Sequence, residues 1–255
     1  MKVRIKFRKY GALRFIGHLD VMRCFQKVMR RAQIPIAFTS GYSPHMIMSF
    51  ASPLGIGLTS DGEYLDVELA ESISSEEAVR RMNAVSPEGI EVVSFRRIAE
   101  EKKMTGMAIV AAADYLVGMY RKEDPQCPRT ASCHSGSFET EGIYPATAKY
   151  AAKIADFLSQ PRIMVMKQTK RSEQETDIRP LIYRMEPKDE GIYLLLAAGS
   201  VQNLKPELVM AAFCEFAGID SESVRFIWHR LEMYAENLIT LEELGKDIES
   251  RENHD

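Results

Sequence analysis

Residues 2–8 read Lys-Val-Arg-Ile-Lys-Phe-Arg. Val3, Ile5 and Phe7 alternate with Lys2, Arg4, Lys6 and Arg8, the period of two that puts one face of a strand in a core and turns the other outward. The order of elements after this strand decides the fold. Gly11 ends the run, and from His18 to Gln33 the residues Met22, Phe25, Met29 and Ala32 share one helical stripe. Pro35 stops that helix. Ile36–Phe38 begins a second strand, and Tyr64, Val67 and Leu69 a third after the turn Ser60-Asp61-Gly62. Ser74-Ser75-Glu76-Glu77 is a helix start ahead of Ala78, Val79 and Met82. Ile90–Phe95 closes the set as a strand, giving the order strand, helix, strand, strand, helix, strand.

The second half repeats the plan. Ile109–Tyr120 reads as a strand, Ala148–Leu158 as a helix, Ile163–Lys167 as the start of another strand, and Leu181–Met185 with Ile192–Leu196 as a strand pair. Pro206 opens a helix that Gly218 stops, and Val224, Phe226 and Trp228 alternate in a last strand. This is an α+β pattern of two tandem ferredoxin-like (split βαβ) units. The expected division is 1–98 for the first, 109–234 for the second, and a polar acidic tail over 235–255. Residues 122–143, rich in Pro, Ser, Gly and Thr, read as a flexible insert.

With 255 residues, 45% hydrophobic and 27% charged, the chain has a globular composition, and no apolar run approaches the roughly 20 residues of a membrane span. Four cysteines (Cys24, Cys127, Cys133, Cys214) are too few and scattered for a disulfide framework. The expected setting is the cytoplasm, without a membrane partner. The net charge of −3 conceals an asymmetry: residues 1–50 hold ten Lys/Arg against Asp20 alone, a local +9, leaving −12 on the rest. A localised positive field attracts polyanions. The competing reading pairs these bases with later acids such as Glu63, Asp66 and Glu68.

The candidate RNA contacts are Arg4, Arg8 and Arg14, then Arg23, Lys27 and Arg30 on a helix face away from the apolar stripe, and Lys170 and Arg171 in a second basic stretch. His18, at the helix start, and Tyr42, in the loop Ser40-Gly41-Tyr42-Ser43-Pro44-His45, add a ring donor and a stacking aromatic. His18 and His45 are also the candidate general bases of a metal-independent ribonuclease, although His18 serves equally as a helix cap and Tyr42 as a lid on the core. Cys127, Cys133 and His134 form a C-x5-C-H cluster without a common zinc spacing or an evident fourth ligand, so no metal and no cofactor is expected. No C-x3-C-x2-C set is present for an iron–sulfur cluster.

Several motifs resemble a bacterial family, the radical-SAM-linked proteins of unknown function. They are Gly11-x-Leu13-Arg14-Phe15-x-x-His18-Leu19-Asp20-x-x-Arg23, Arg30-Arg31-Ala32 with Pro35, and Ser40-Gly41-Tyr42-x-Pro44. Ser49-Phe50-x-x-Pro53-Leu54, Gly62-Glu63-Tyr64-Leu65-Asp66 and Asp177-Ile178-Arg179-Pro180 continue them. This chain resembles the stand-alone form of a domain often fused behind a cobalamin-binding-like radical SAM module. The resemblance implies association with a radical SAM protein and carries no settled activity. The leading expectation is an RNA-binding accessory protein in tRNA or rRNA modification or processing, with no DNA specificity. The alternatives are a protein adaptor for the radical SAM enzyme and the ribonuclease.

Overall fold

The computed structural model describes residues 1–122, 150–168, 173–188 and 191–249. It is a mixed α and β fold with mostly antiparallel strands, in two compact units. The first holds Met1–Ala111 together with the chain from Glu232 onward, and the second holds Ala112–Leu231.

In the first unit β1 (Lys2–Lys9) is followed by α1 (His18–Arg31), β2 (Met48–Phe50), β3 (Thr59–Glu68), α2 (Ser75–Asn83) and β4 (Ile90–Arg97). The sheet order is β4-β1-β3-β2, antiparallel throughout. Val3, Ile5 and Phe7 are fully buried, and they pack in one core with Phe25, Val28 and Met29 of α1 and Ala78 and Met82 of α2. Phe7 and Phe25 meet edge to face at 4.6 Å.

α1 ends in a hydrogen-bonded C-terminal turn. The Gln33 N–H donates to Arg30 O and the Ile34 N–H to Met29 O, with Gln33 left-handed at φ 52°. Pro35 then forbids continuation. The expected strand at Ile36–Phe38 is reduced to isolated bridges, Ile36 to Leu69 and Phe38 to Met46, and the strand forms at β2 instead. Residues 38–46 fold back on themselves, with the Thr39 N–H on His45 O.

The outer edge of β4 is closed by side chains. Asn83 accepts from the Val92 N–H and donates to the Val92 carbonyl, both at 2.8 Å, and the Ser75 hydroxyl donates to Phe95 O. Beyond them β11 (Lys246–Asp247) pairs with Arg97 and Arg96. An edge blocked in this way offers no template for another strand. The stretch expected as a polar tail from 235 is therefore, as far as Glu249, part of the first unit: Leu241 is fully buried, and the Ser75 and Ile248 backbones are joined.

A short helix, α3 (Gly106–Ile109), precedes the second unit. There β5 (Ala112–Arg121), α4 (Ala151–Ser159), β8 (Ile182–Lys188), β9 (Gly191–Ala197), α5 (Pro206–Ala217) and β10 (Val224–Tyr234) form a sheet ordered β10-β5-β9-β8. The residues of β10 from Glu232 on belong to the first unit. Between α4 and β8 a hairpin of β6 (Met164–Gln168) and β7 (Glu173–Asp177) stands outside that sheet, where the sequence pattern shows only the start of one strand. Phe157 of α4 packs on Phe213 and Phe216 of α5 at 5.6 and 5.5 Å. Asp177-Ile178-Arg179-Pro180 is the staple at the hairpin's base. Asp177 Oδ1 accepts from the Ile163 and Arg179 N–H groups, and the Arg179 guanidinium donates to Leu158 O and Ile182 O. Those two backbone bonds hold the Asp177 carboxyl below its usual range. Arg179 and Asp177 thus act as a strut through backbone groups.

Candidate functional site

The cations on the outward face expected of β1 are engaged by groups of the protein. Arg4 is buried and forms a two-pronged pair with Asp66, Nε to Oδ1 at 2.8 Å and Nη2 to Oδ2 at 3.0 Å. Two more of its protons go to Leu241 O and Met104 O. Lys6 lies between Glu232 (2.7 Å) and Glu242 (2.9 Å). Burial works against its charge, but these two carboxylates outweigh it and raise its pKa. Tyr64 donates its hydroxyl to the same Glu232, and burial first, then that carboxylate, drives the phenol far above its ordinary range. Arg8 pairs with Asp61 and Glu91, Lys9 is buried with its ammonium on Ile16 O, and Lys2 reaches Glu100 O. Arg4 is thus removed from the expected binding surface, while Arg8 keeps about a third of its side chain exposed (32%) and is held by two carboxylates. The physical reason for Arg4 and Lys6 is that residues 101–106 and 232–247 supply groups over them, and a covered cation requires a counter-charge.

Arg14 is also buried, in the turn Gly11–Phe15, with its guanidinium 4.6 Å from the centre of the Phe15 ring. What remains on the surface is α1. Arg23, Lys27, Arg30 and Arg31 are all exposed. Arg23 meets Asp20 at 3.2 Å, a pair of small energetic weight in water. Lys27, Arg30 and Arg31 have no side-chain partner among the described residues. Lys170 and Arg171 lie outside the described residues, as do Cys127, Cys133, His134 and the insert from 123 onward.

His18 is the first residue of α1, after the N-cap Gly17, which supplies no side chain to cap it. Its ring sits edge-on to Phe50 at 4.9 Å. Lys9, His18, Val21, Phe50, Pro53, Leu54 and Glu63 surround a cavity of about 10 Å³, room for one water molecule. The Gly11–Arg23, Ser49–Leu54 and Gly62–Asp66 motifs therefore converge on the start of α1. Lys9 and Glu63 are both buried members. Glu63 is legible in the sequence as a candidate partner acid within the Gly62–Asp66 motif, whereas no sequence pattern singles out Lys9. His45 is elsewhere engaged: its Nδ1 lies 3.1 Å from Thr39 Oγ1 and 3.4 Å from Ser43 O, at a hairpin whose tip residue Tyr42 is fully exposed.

A wider groove of about 650 Å³ lies between α2, β4 and the C-terminal strand, lined by Ser75, Val93, Arg96, Asp247 and Ile248 among others. Its cations are already matched, Arg80 by Glu77, and Arg96 by Glu242 and Asp247. Among the described residues no group of three or more His, Cys, Asp or Glu is placed to hold a metal ion, and no helix is long and apolar enough to cross a membrane.

A family model matches residues 2–206, running from β1 to the first residue of α5. The chain belongs to DUF2344, a family described as an uncharacterized protein conserved in bacteria. No curated protein matches it. The matched region includes the whole of α1, the His18 cavity and the Asp177–Pro180 staple, while most of α5, β10 and the C-terminal strand lie beyond it. Membership in DUF2344 thus joins the surface cations and the buried cluster to one family without assigning either a role.

Proposed function

We propose that this protein is an RNA-binding accessory protein in tRNA or rRNA modification or processing, acting in the cytoplasm beside a radical SAM enzyme. The observation that carries the RNA reading is the outward face of α1. Arg23, Lys27, Arg30 and Arg31 stand exposed there, and Asp20 is the one acid on the helix. Among the other cations of the first fifty residues, Arg4, Lys6 and Arg8 are paired with acids, so the positive field is concentrated on one element. A helix face bearing four exposed cations and one acid suits a phosphate backbone. The radical SAM partner rests on the motif resemblance alone. We also read the two units as tandem split βαβ folds. That reading is supported by the sheet orders β4-β1-β3-β2 and β10-β5-β9-β8, in which the first and third strands are central.

The test is fluorescence anisotropy of a labelled 20-nucleotide RNA titrated from 50 to 300 mM KCl. Each single-strand phosphate contact contributes about 0.7 to the slope of log K against log salt. Arg23→Glu with Lys27→Glu is expected to lower that slope by about 1.4 and to weaken binding across RNA sequences. Wild-type protein without salt-sensitive affinity, or a double variant that binds as wild type, refutes the RNA reading in favour of the adaptor.

A further inference from the structure

α1 does not begin with a cation. Its exposed stripe opens with Leu19, 58% exposed. At about 100° per residue, Leu19, Arg23, Lys27 and Arg30 fall within a single quarter of the helix circumference. An apolar side chain therefore heads the row of cations. Two more stand beside it. Phe15 is 59% exposed and Ile56 66%. The Arg14 carbonyl accepts from the Gly57 N–H at 2.7 Å, which ties the 55–57 loop to the turn carrying Phe15. A Cβ on Gly17, between Phe15 and Leu19, would lie 3.8 Å from Ile56 Cδ1. Ile56 thus lies beside Gly17, which stands in the chain two residues from exposed Phe15 and two from exposed Leu19.

The Arg14 guanidinium, 8% exposed, lies 4.6 Å from the centre of the Phe15 ring, and Phe15 itself is 59% exposed. An exposed ring held against a buried cation suits stacking.

We infer that Phe15, Leu19 and Ile56 form a platform for unpaired bases, so that the ligand of this surface is single-stranded RNA. The inference rests on the RNA reading of α1 and adds the class of RNA to it. In duplex RNA the bases are stacked inside and only phosphates and 2′-hydroxyls face outward, so an apolar platform gains nothing from it. A single strand turns bases toward apolar side chains while its backbone tracks the cations. One stripe of three cations on a convex helix matches one phosphate backbone, where a duplex presents two across a groove. His18, the residue after Gly17, turns its ring to Phe50.

The experiment compares a 20-nucleotide polyuridine strand with a 20-base-pair RNA duplex at 150 mM KCl, using wild type, Phe15→Ser/Leu19→Ser, and Ile56→Ser. These side chains are exposed, and Ile56→Ser tests the platform from a separate loop should the pair disturb the turn. Wild type is expected to bind the single strand more tightly, although the duplex carries twice the charge. Each platform variant is expected to lose about tenfold on the single strand with its salt slope unchanged, and to bind the duplex as wild type does. Salt-sensitive binding with equal loss on both forms, or with no loss in any variant, overturns the platform while leaving RNA binding intact. Absence of any RNA binding overturns this inference and the RNA reading together.

Discussion

Replacing Arg4 with Met separates the interior role of β1 from the surface role its sequence suggests. Arg4 is 2% exposed, and Asp66, its bidentate partner, is 8% exposed. Removing the guanidinium leaves Asp66 a buried carboxylate supported, among the described residues, by the Gly106 N–H at 2.6 Å alone, and strips Met104 O and Leu241 O of a donor. Breaking a buried pair from one side costs about 3–5 kcal/mol, a large fraction of the roughly 5–15 kcal/mol of a typical domain. The suitable assay is native-state hydrogen exchange read on β1 and β3 amides, because it reports the first unit by itself. Protection there is expected to fall by about two to three and a half orders of magnitude, while β5 and β9 amides are unchanged. Arg4→Met with Asp66→Leu is expected to recover about 2 kcal/mol relative to the sum of the single changes, since no lone charge then stays buried. A loss below about 1 kcal/mol in Arg4→Met, the level of a surface pair, refutes the reasoning. Lost RNA affinity with intact protection would return Arg4 to the binding face.

The segment covering β1 yields two further expected outcomes. Leu241→Ala is expected to destabilise the first unit by about 2–5 kcal/mol, measured by thermal denaturation, because Leu241 is fully buried and its carbonyl takes an Arg4 proton. The second concerns acid. Burial raises the Glu242 pKa, but hydrogen bonds from Lys6 and Ser94 and the charges of Lys6 and Arg96 outweigh it, so the carboxyl sits below its usual range. Its contribution is therefore full above about pH 4.3, the ordinary glutamate value, and fades as pH falls through the lowered one. Glu242→Gln is expected to flatten the fall in melting temperature between pH 5 and pH 3. Identical curves for variant and wild type would show that Glu242 holds nothing in place.

How far the sequence determined this protein differs between its two faces. Local alternation carried β1: Val3, Ile5 and Phe7 are all core residues, as a period of two requires. The apolar stripe and Pro35 bounded α1 to within a few residues, and Ser74 caps α2, accepting from the Glu77 N–H. The exposed cations of α1 were legible for the same reason, since a helix period of 3.6 assigns Arg23, Lys27 and Arg30 to a face away from the core. The fate of the cations on β1 was legible only in part: Asp66, which holds Arg4, stood among the acids named for pairing, but the partners of Lys6 and Arg8 did not. Arg4, Lys6 and Arg8 alternate outward as cleanly as any surface row, yet their counter-charges come from Asp66, Glu232, Glu242, Asp61 and Glu91. Glu242 lies 236 positions from Lys6, and no local pattern encodes a partner that distant. The platform was hidden likewise, because Ile56 reaches Gly17 only after the 55–57 loop docks on the Arg14 carbonyl. Periodicity reports which way a side chain leaves its own element. What meets it there is decided by chain segments brought back through space, and only the tertiary structure holds that information.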